Sequence, residues 1–167
     1  MDISFAIITC SDTRSFEEDT AGAALEELIA ARGWSVDSRV ICRDERMDIA
    51  LAIAQAADDP DVDIVLTCGG SGLSYRDVTV EATQDACDRA VPGIAEAMRA
   101  YSLTKTGRAM LSRAVCMQRG RTPVVNLPGS RKAACENWEA IADQLEHAVK
   151  MLSLIHISEP TRLRRIS

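Results

Sequence analysis

Histidine is nearly missing from this chain of 167 residues: only His147 and His156 occur. A serine–histidine triad or a histidine-rich metal site needs more than that pair supplies. Any catalysis must therefore rest on carboxylates, backbone amides, cations and a recruited metal ion. The six cysteines, at positions 10, 42, 68, 87, 116 and 135, are spread evenly and contain no CxxC pair. That spacing predicts mostly small buried hydrophobes rather than disulfide partners or zinc ligands. Aromatic residues make up only 4% of the chain, so no aromatic cluster marks an interface. No apolar stretch reaches membrane-spanning length and no charged-then-apolar leader opens the chain, which makes a cytoplasmic protein the expectation. The net charge is −6 with no basic stripe, which argues against non-specific binding to nucleic acid. Neither GxxxxGK[ST] nor GxGxxG is present, so the chain carries no P-loop and no standard dinucleotide fingerprint.

What is present is a regular alternation of apolar patterns. Residues 3–9 read as a buried strand, followed by a helix over 19–32 with Ala21, Leu25, Leu28 and Ile29 at helical spacing and Gly33 as its stop. A second strand over 35–42, a helix over 47–57 and a third strand over 62–67 come next. A glycine loop then leads to a helix over 79–89, and Ile94, Met98 and Tyr101 form another apolar stripe after Pro92-Gly93. Residues 114–118 and 123–127 read as two more strands around the turn Arg119-Gly120-Arg121. In the last helix Ala134, Trp138, Ile141, Leu145, Ala148 and Leu152 share one face, while Glu136, Glu139, Asp143 and Glu146 lie off it. The alternation predicts an α/β fold, a single three-layer α/β/α domain over residues 1–152 with a mostly parallel sheet. Residues 153–167 break the pattern: they are basic, with Arg162, Arg164 and Arg165 against Glu159, and resemble translated sequencing-adapter read-through. The expectation for this tail is a foreign or disordered segment.

In a parallel sheet, ligands bind where loops leave the carboxyl ends of strands. Three polar loops fall on that side: Thr9-Cys10-Ser11-Asp12-Thr13, the glycine loop Gly69-Gly70-Ser71-Gly72, and Asn126-Leu127-Pro128-Gly129-Ser130. Bare backbone N–H groups beside a helix start attract anions such as phosphates, although a tight ligand-free turn explains the glycines equally well. Ser130 reads first as a cap of the last helix, with Gly129 leaving room for a ligand. Asp77 precedes a helix for which Thr79 looks like the cap. A carboxylate beside an anion-binding loop repels phosphate unless a cation intervenes, and Mg2+ takes one or two carboxylates with phosphates and water. Asp44 follows the second strand and falls on the same side, though its spacing alone suits a solvated charge.

These segments together resemble a known family. "SDT" and "DTAG" near the start, "RDE" after the second strand, "CGGSGLSYRDVTVEAT", "LSRAV" and "NLPGSRKA" match the MoaB/Mog-type molybdopterin-binding domain over nearly the whole of residues 3–152. The central segment follows that family's TGGTG…RDVTPEA pattern, with Cys68 and Ser71 at threonine positions and Val80 at a proline position. The resemblance implies adenylylation of molybdopterin by Mg-ATP with release of pyrophosphate, in molybdenum cofactor biosynthesis. It implies that Asp44 and Asp77 are catalytic and hold Mg2+. It further implies that Ser11, Asp12, Gly69, Gly70, Ser71, Gly72, Pro128, Gly129 and Ser130 bind nucleotide or pterin. Arg76 stands between two roles, meeting a phosphate or pairing with Asp77, and Ser112-Arg113 matches the family without a role that chemistry assigns. By the same resemblance a symmetric homo-oligomer, trimer or hexamer, is expected, and other molybdenum cofactor enzymes are candidate partners. Two alternatives stand beside adenylyl transfer: a non-catalytic molybdopterin-binding scaffold of the MoaB type, and a nucleotide hydrolase.

Overall fold

The computed structural model describes the backbone of residues 1–166 and the side chains of residues 1–153. The foreign or disordered tail expected over 153–167 falls almost wholly on side chains outside the described residues, while the backbone of the last helix, Arg131–Ile166, continues past the expected boundary at 152. Apolar runs and amphipathic stripes sort the chain into β1 (Ser4–Cys10), α1 (Thr20–Ala31), β2 (Ser35–Cys42), α2 (Arg46–Asp58) and β3 (Ile64–Cys68). After these come α3 (Thr79–Ala86), β4 (Arg89–Ala90), α4 (Pro92–Leu103), a 3-10 turn (Gly107–Leu111), β5 (Cys116–Arg119), β6 (Thr122–Leu127) and α5 (Arg131–Ile166).

The strands form one six-stranded sheet in the order β2-β1-β3-β6-β5-β4. β1 pairs in parallel with β2 and β3, and β3 with β6, while β5 and β4 run antiparallel at one edge. Alternate residues of the central strands go to opposite layers. Phe5 and Ile7, Leu66 and Leu127 pack with Leu25, Met98 and Trp138 on the α1/α4/α5 side. Ala6, Ile8, Val65 and Val124 pack with Ile49, Ile53 and Ala82 on the α2/α3 side. Because both faces are covered, the central strands are mostly apolar, the pattern read in the sequence, and their few buried polar residues such as Thr9, Thr67 and Asn126 are hydrogen-bonded. Phe5, Trp34 and Trp138 meet as an aromatic triad with ring centroids 5.6 to 6.2 Å apart.

Helix ends follow local chemistry. Asp19 caps α1 by accepting from Gly22 N at 3.0 Å, and its other oxygen accepts from Thr9 Oγ1 at 2.8 Å, so the "DTAG" segment ties α1 to β1. A side chain at position 22 would collide with that cap. Pro92 opens α4, where its missing N–H costs nothing.

Two local expectations are corrected, and two features are added to the sequence reading. The helix over 79–89 ends at Ala86, because Arg89–Ala90 pairs with β5 as the edge strand β4. The 3-10 turn has no counterpart in the sequence pattern. Thr79 is not the cap of α3: Val78 takes that place without a side-chain bond, and Thr79 is the first helical residue. Residues 123–127 lie in β6 as expected, with the strand starting at Thr122, and the Asn126 amide is buried, donating to Thr67 Oγ1 and Thr83 Oγ1 at 3.0 Å each.

Trp138 joins α5 to the sheet through the aromatic triad and is 3% exposed. Trp138→Ala is expected to cost about 4 kcal/mol of stability through lost burial and a residual cavity, measured by urea unfolding.

Candidate active site

The strand order decides where a ligand can enter. From β1 the chain crosses to β2 on one side and then to β3 on the other. The loops leaving β1 and β3 therefore diverge at the carboxyl edge and open a crevice between them. A cavity of about 670 Å3 occupies it, bounded by Ser11 after β1, Asp44 after β2, the glycine loop and Asp77 after β3, and Pro128-Gly129 after β6.

Gly69 and Gly70 have φ of 96° and 71°, backbone that glycine alone adopts without strain. Space is equally short. A Cβ at position 69 would stand 2.7 Å from the Cys10 carbonyl oxygen, and one at position 70 would collide with the Thr79 side chain. Gly69 N donates to Leu127 O at 3.0 Å and Thr79 N to Gly70 O at 3.1 Å, so the loop is fastened to β6 and to the first turn of α3. Ser71 is 8% exposed and lines the cavity. Cys68, which replaces the family's threonine, is fully buried in the α1/α4/α5 layer; a hydroxyl there would not reach the cavity.

Arg113 clamps the loop from outside. Its backbone N donates to Ser71 O at 2.9 Å. Its guanidinium donates through Nε to Gly72 O at 2.7 Å and through Nη2 to Asp77 O at 2.9 Å. The same group pairs with the Glu81 carboxylate of α3. One side chain thus holds both ends of the segment that carries Asp77. Sequence spacing offered no sign of this, since the partners lie 32 to 41 residues away.

The acidic residues divide into two groups. Asp44 and Asp77 line the cavity. Asp77 Oδ2 accepts from Ser74 N at 3.0 Å, closing the turn beyond the glycines. Asp44 and Asp12 exchange bonds: Asp12 N donates to Asp44 Oδ2 at 3.1 Å, and Asp44 N to Asp12 Oδ1 at 3.0 Å. Asp12 itself stands off the cavity wall. Arg76 pairs with Asp12 at 2.9 Å and with Glu45 at 3.1 Å, and not with Asp77. Ser130 also lies off the wall, where its Oγ accepts from Ala133 N at 3.3 Å as the cap of α5.

Burial pushes the Asp44 carboxyl above its ordinary range, and the negative charges of Asp12 and Asp77 push it further. The Asp12 carboxyl is held below its range by the Asp44 N–H and by Arg76. Asp44 is therefore an acid short of positive charge at the mouth of an amide-lined loop. All six cysteines are free; Cys10, Cys68 and Cys116 are buried and Cys42, Cys87 and Cys135 half-buried. Burial raises the Cys10 and Cys116 thiols to about 12.

Beyond the glycines the cavity continues between α4, the 3-10 turn and α5, over Ala95, Met98, Leu111 and Ala114. Asn137 and Ser102 form a polar spot in this arm, with Asn137 Nδ2 donating to Ser102 Oγ at 3.1 Å. The sequence reading missed this arm because Met98 belongs to an ordinary apolar helix stripe and Asn137 falls between the marked faces of α5.

Sheet order, two helical layers and the crevice define an open, doubly wound α/β domain with its ligand cleft at the switch point. Residues 6–147 match the family model described as "Probable molybdopterin binding domain", and the chain belongs to that family. It is 40% identical over 129 residues to a molybdenum cofactor biosynthesis protein B of Bacillus cereus, covering 76% of each chain. It is 31% identical over 154 residues to a molybdopterin adenylyltransferase of Helicobacter pylori, covering 90% of this chain and 88% of that one. A crystal structure of a molybdenum cofactor biosynthesis protein B superposes with a TM-score of 0.88 at 37% identity, covering 92% of this chain and 97% of the other. The Mog protein of Mycobacterium ulcerans superposes at 0.82 and 33% identity, covering 90% and 99%. No helix among the described residues is long and apolar enough to cross a membrane.

Arg113 holds the Glu81 carboxyl below its usual value. A carboxyl depressed in the folded state stabilises above its unfolded pKa, and that contribution is lost as pH falls through its folded pKa. Glu81→Gln is therefore expected to cost about 1 kcal/mol at neutral pH, with the gap to wild type closing as pH drops below about 4. Thermal unfolding of the two proteins across pH measures it.

Proposed function

We propose that this chain adenylylates molybdopterin: a terminal phosphate oxygen of the pterin attacks the α-phosphorus of ATP, and the bond to pyrophosphate breaks. The observation that carries the reading is that two carboxylates, Asp44 and Asp77, line one cavity with a loop of bare amides. The attacking phosphate is already anionic, so no general base is required, in keeping with a site that contains no histidine. What the protein must supply is alignment and neutralisation of charge at the α-phosphate. The N–H groups of Gly70, Ser71 and Gly72 meet phosphate oxygens, while that of Gly69 stays bonded to Leu127 O, and Ser71 adds a hydroxyl at the same wall.

The donor set suits Mg2+. Among the described residues no three His, Cys, Asp or Glu side chains gather into a metal cage. Two carboxylates that leave room for phosphates and water are the set Mg2+ prefers over an all-protein cage. Asp44, raised by burial and by two neighbouring aspartates, is the group a cation would most relieve. Asp44 and Asp77 would hold the ion, which supplies charge neutralisation at the nucleotide phosphates. Asp12 acts one step back by fixing Asp44. The apolar arm lined by Met98 and Leu111 accommodates a flat heterocycle. By analogy with the family, the working unit is a symmetric homo-oligomer.

A pterin-binding scaffold without turnover is the second reading, and the 40% identity to a protein named for cofactor biosynthesis rather than for the transfer keeps it in view. Pyrophosphate release from Mg-ATP that depends on added molybdopterin separates the two. Asp77→Asn and Asp44→Asn are each expected to lower that release at least ~100-fold, about 3 kcal/mol of barrier. Release unchanged in Asp77→Asn would remove Asp77 from the chemistry, and pterin binding with no release in wild type would favour the scaffold.

A further inference from the structure

A cleft that receives a polyphosphate needs positive charge beyond amides and one divalent ion. Arg76, the arginine beside the glycine loop in sequence, is spent on Asp12 and Glu45. Arg113 is spent on Glu81 and on two carbonyls of the loop, with its charge turned to the outside of the glycine turn. Arg99 of α4 and Arg108 of the 3-10 turn also line the cavity, with no carboxylate partner among the described residues, but both stand on its apolar arm, where Arg99 donates to Ala114 O at 2.7 Å.

Arg14 stands instead beside the glycine loop. It lies four residues beyond β1, lines the cavity and is half-buried. Its Nη1 donates to Gly129 O at 2.8 Å, which holds the guanidinium across the mouth between the β1 and β6 loops. Gly129 in turn packs on Gly69, with the Arg14 Nη1 about 4.0 Å from the position of a Cβ at residue 129. Among the described residues no carboxylate pairs with Arg14, and the rest of its planar fork has no recorded partner. A guanidinium fixed at one nitrogen, unneutralised and set beside bare backbone amides, has the geometry that binds phosphate oxygens in pairs.

We propose that Arg14 is a phosphate-binding residue of this cleft, the cation that meets the phosphate chain where the β1 and β6 loops approach the glycine loop. This rests on the reading of the cleft as a phosphate site, and not on turnover. The competing role is a strap alone, joining two loops through Gly129 O. Arg14→Gln tests the difference, since glutamine keeps an amide donor near that carbonyl and removes the charge.

Inorganic pyrophosphate is the probe, titrated by calorimetry into wild type, Arg14→Gln and Arg14→Lys. Binding about tenfold weaker in Arg14→Gln, and within about threefold of wild type in Arg14→Lys, is expected. Should Arg14→Gln fold poorly, phenylglyoxal labelling of the wild-type protein serves instead: pyrophosphate is expected to shield Arg14 from modification. Equal affinity in wild type and Arg14→Gln, no pyrophosphate binding to wild type, or labelling of Arg14 unaffected by pyrophosphate would each overturn the assignment. Adenylyl transfer in wild type together with unchanged pyrophosphate affinity in Arg14→Gln would remove Arg14 and leave the reaction. Weakened pyrophosphate binding in Arg14→Gln with no transfer in wild type would do the reverse.

Discussion

At Gly69 the backbone of one strand end lies against the backbone of two others. Its amide bonds to the end of β6, its α-carbon presses on Gly129, and the space where a side chain would stand is taken by the carbonyl of Cys10. Three loops can converge on one crevice only because this position has neither a Cβ nor a negative φ. The cleft, the exposure of its amides and the proximity of Asp44 to Asp77 all follow from that convergence. A parallel sheet with its switch point at β1/β3 brings the strand ends near one another, and glycine lets them touch.

Charge is arranged around that point in separate layers. Ion pairs on the outside, Arg113 with Glu81 and Arg76 with Asp12 and Glu45, hold the loops in place and leave neither arginine without a carboxylate. Inside, Asp44 has like charges for neighbours, and its nearest bonded partner is the backbone of another aspartate. The frame is electrostatically satisfied while the wall of the cleft is not. An unbalanced wall in an otherwise balanced frame is the arrangement expected where charge arrives with a ligand.

Much of this was legible in the sequence, and for a physical reason. Strands buried on both faces carry long apolar runs, and helices covering them carry stripes at helical period, so β1, β3, α1 and α2 could be read within a few residues of their ends. The glycine loop was legible as a tight turn after a buried strand, and Gly69 and Gly70 do take positive φ there; its aspartate was marked by the family motif rather than by the glycines. What could not be read is whatever depends on distant contact. β4 is two residues long and exists only through pairing with β5. The task of Arg113 and the partners of Arg76 are set by tertiary neighbours 31 to 64 positions off. Thr79, expected to cap α3, instead turns its hydroxyl into the packed space above Gly70, where it has no bond among the described residues.

The buried thiols bear on which substances the protein admits. Cys10 reaches the back of the cleft, yet with burial holding it to about 12 it keeps its proton at any ordinary pH. A thiol that keeps its proton is a poor nucleophile. The cleft therefore meets its cargo with amides, hydroxyls and carboxylates, while the sulfur of Cys10 and Met98 on its walls serves as packing.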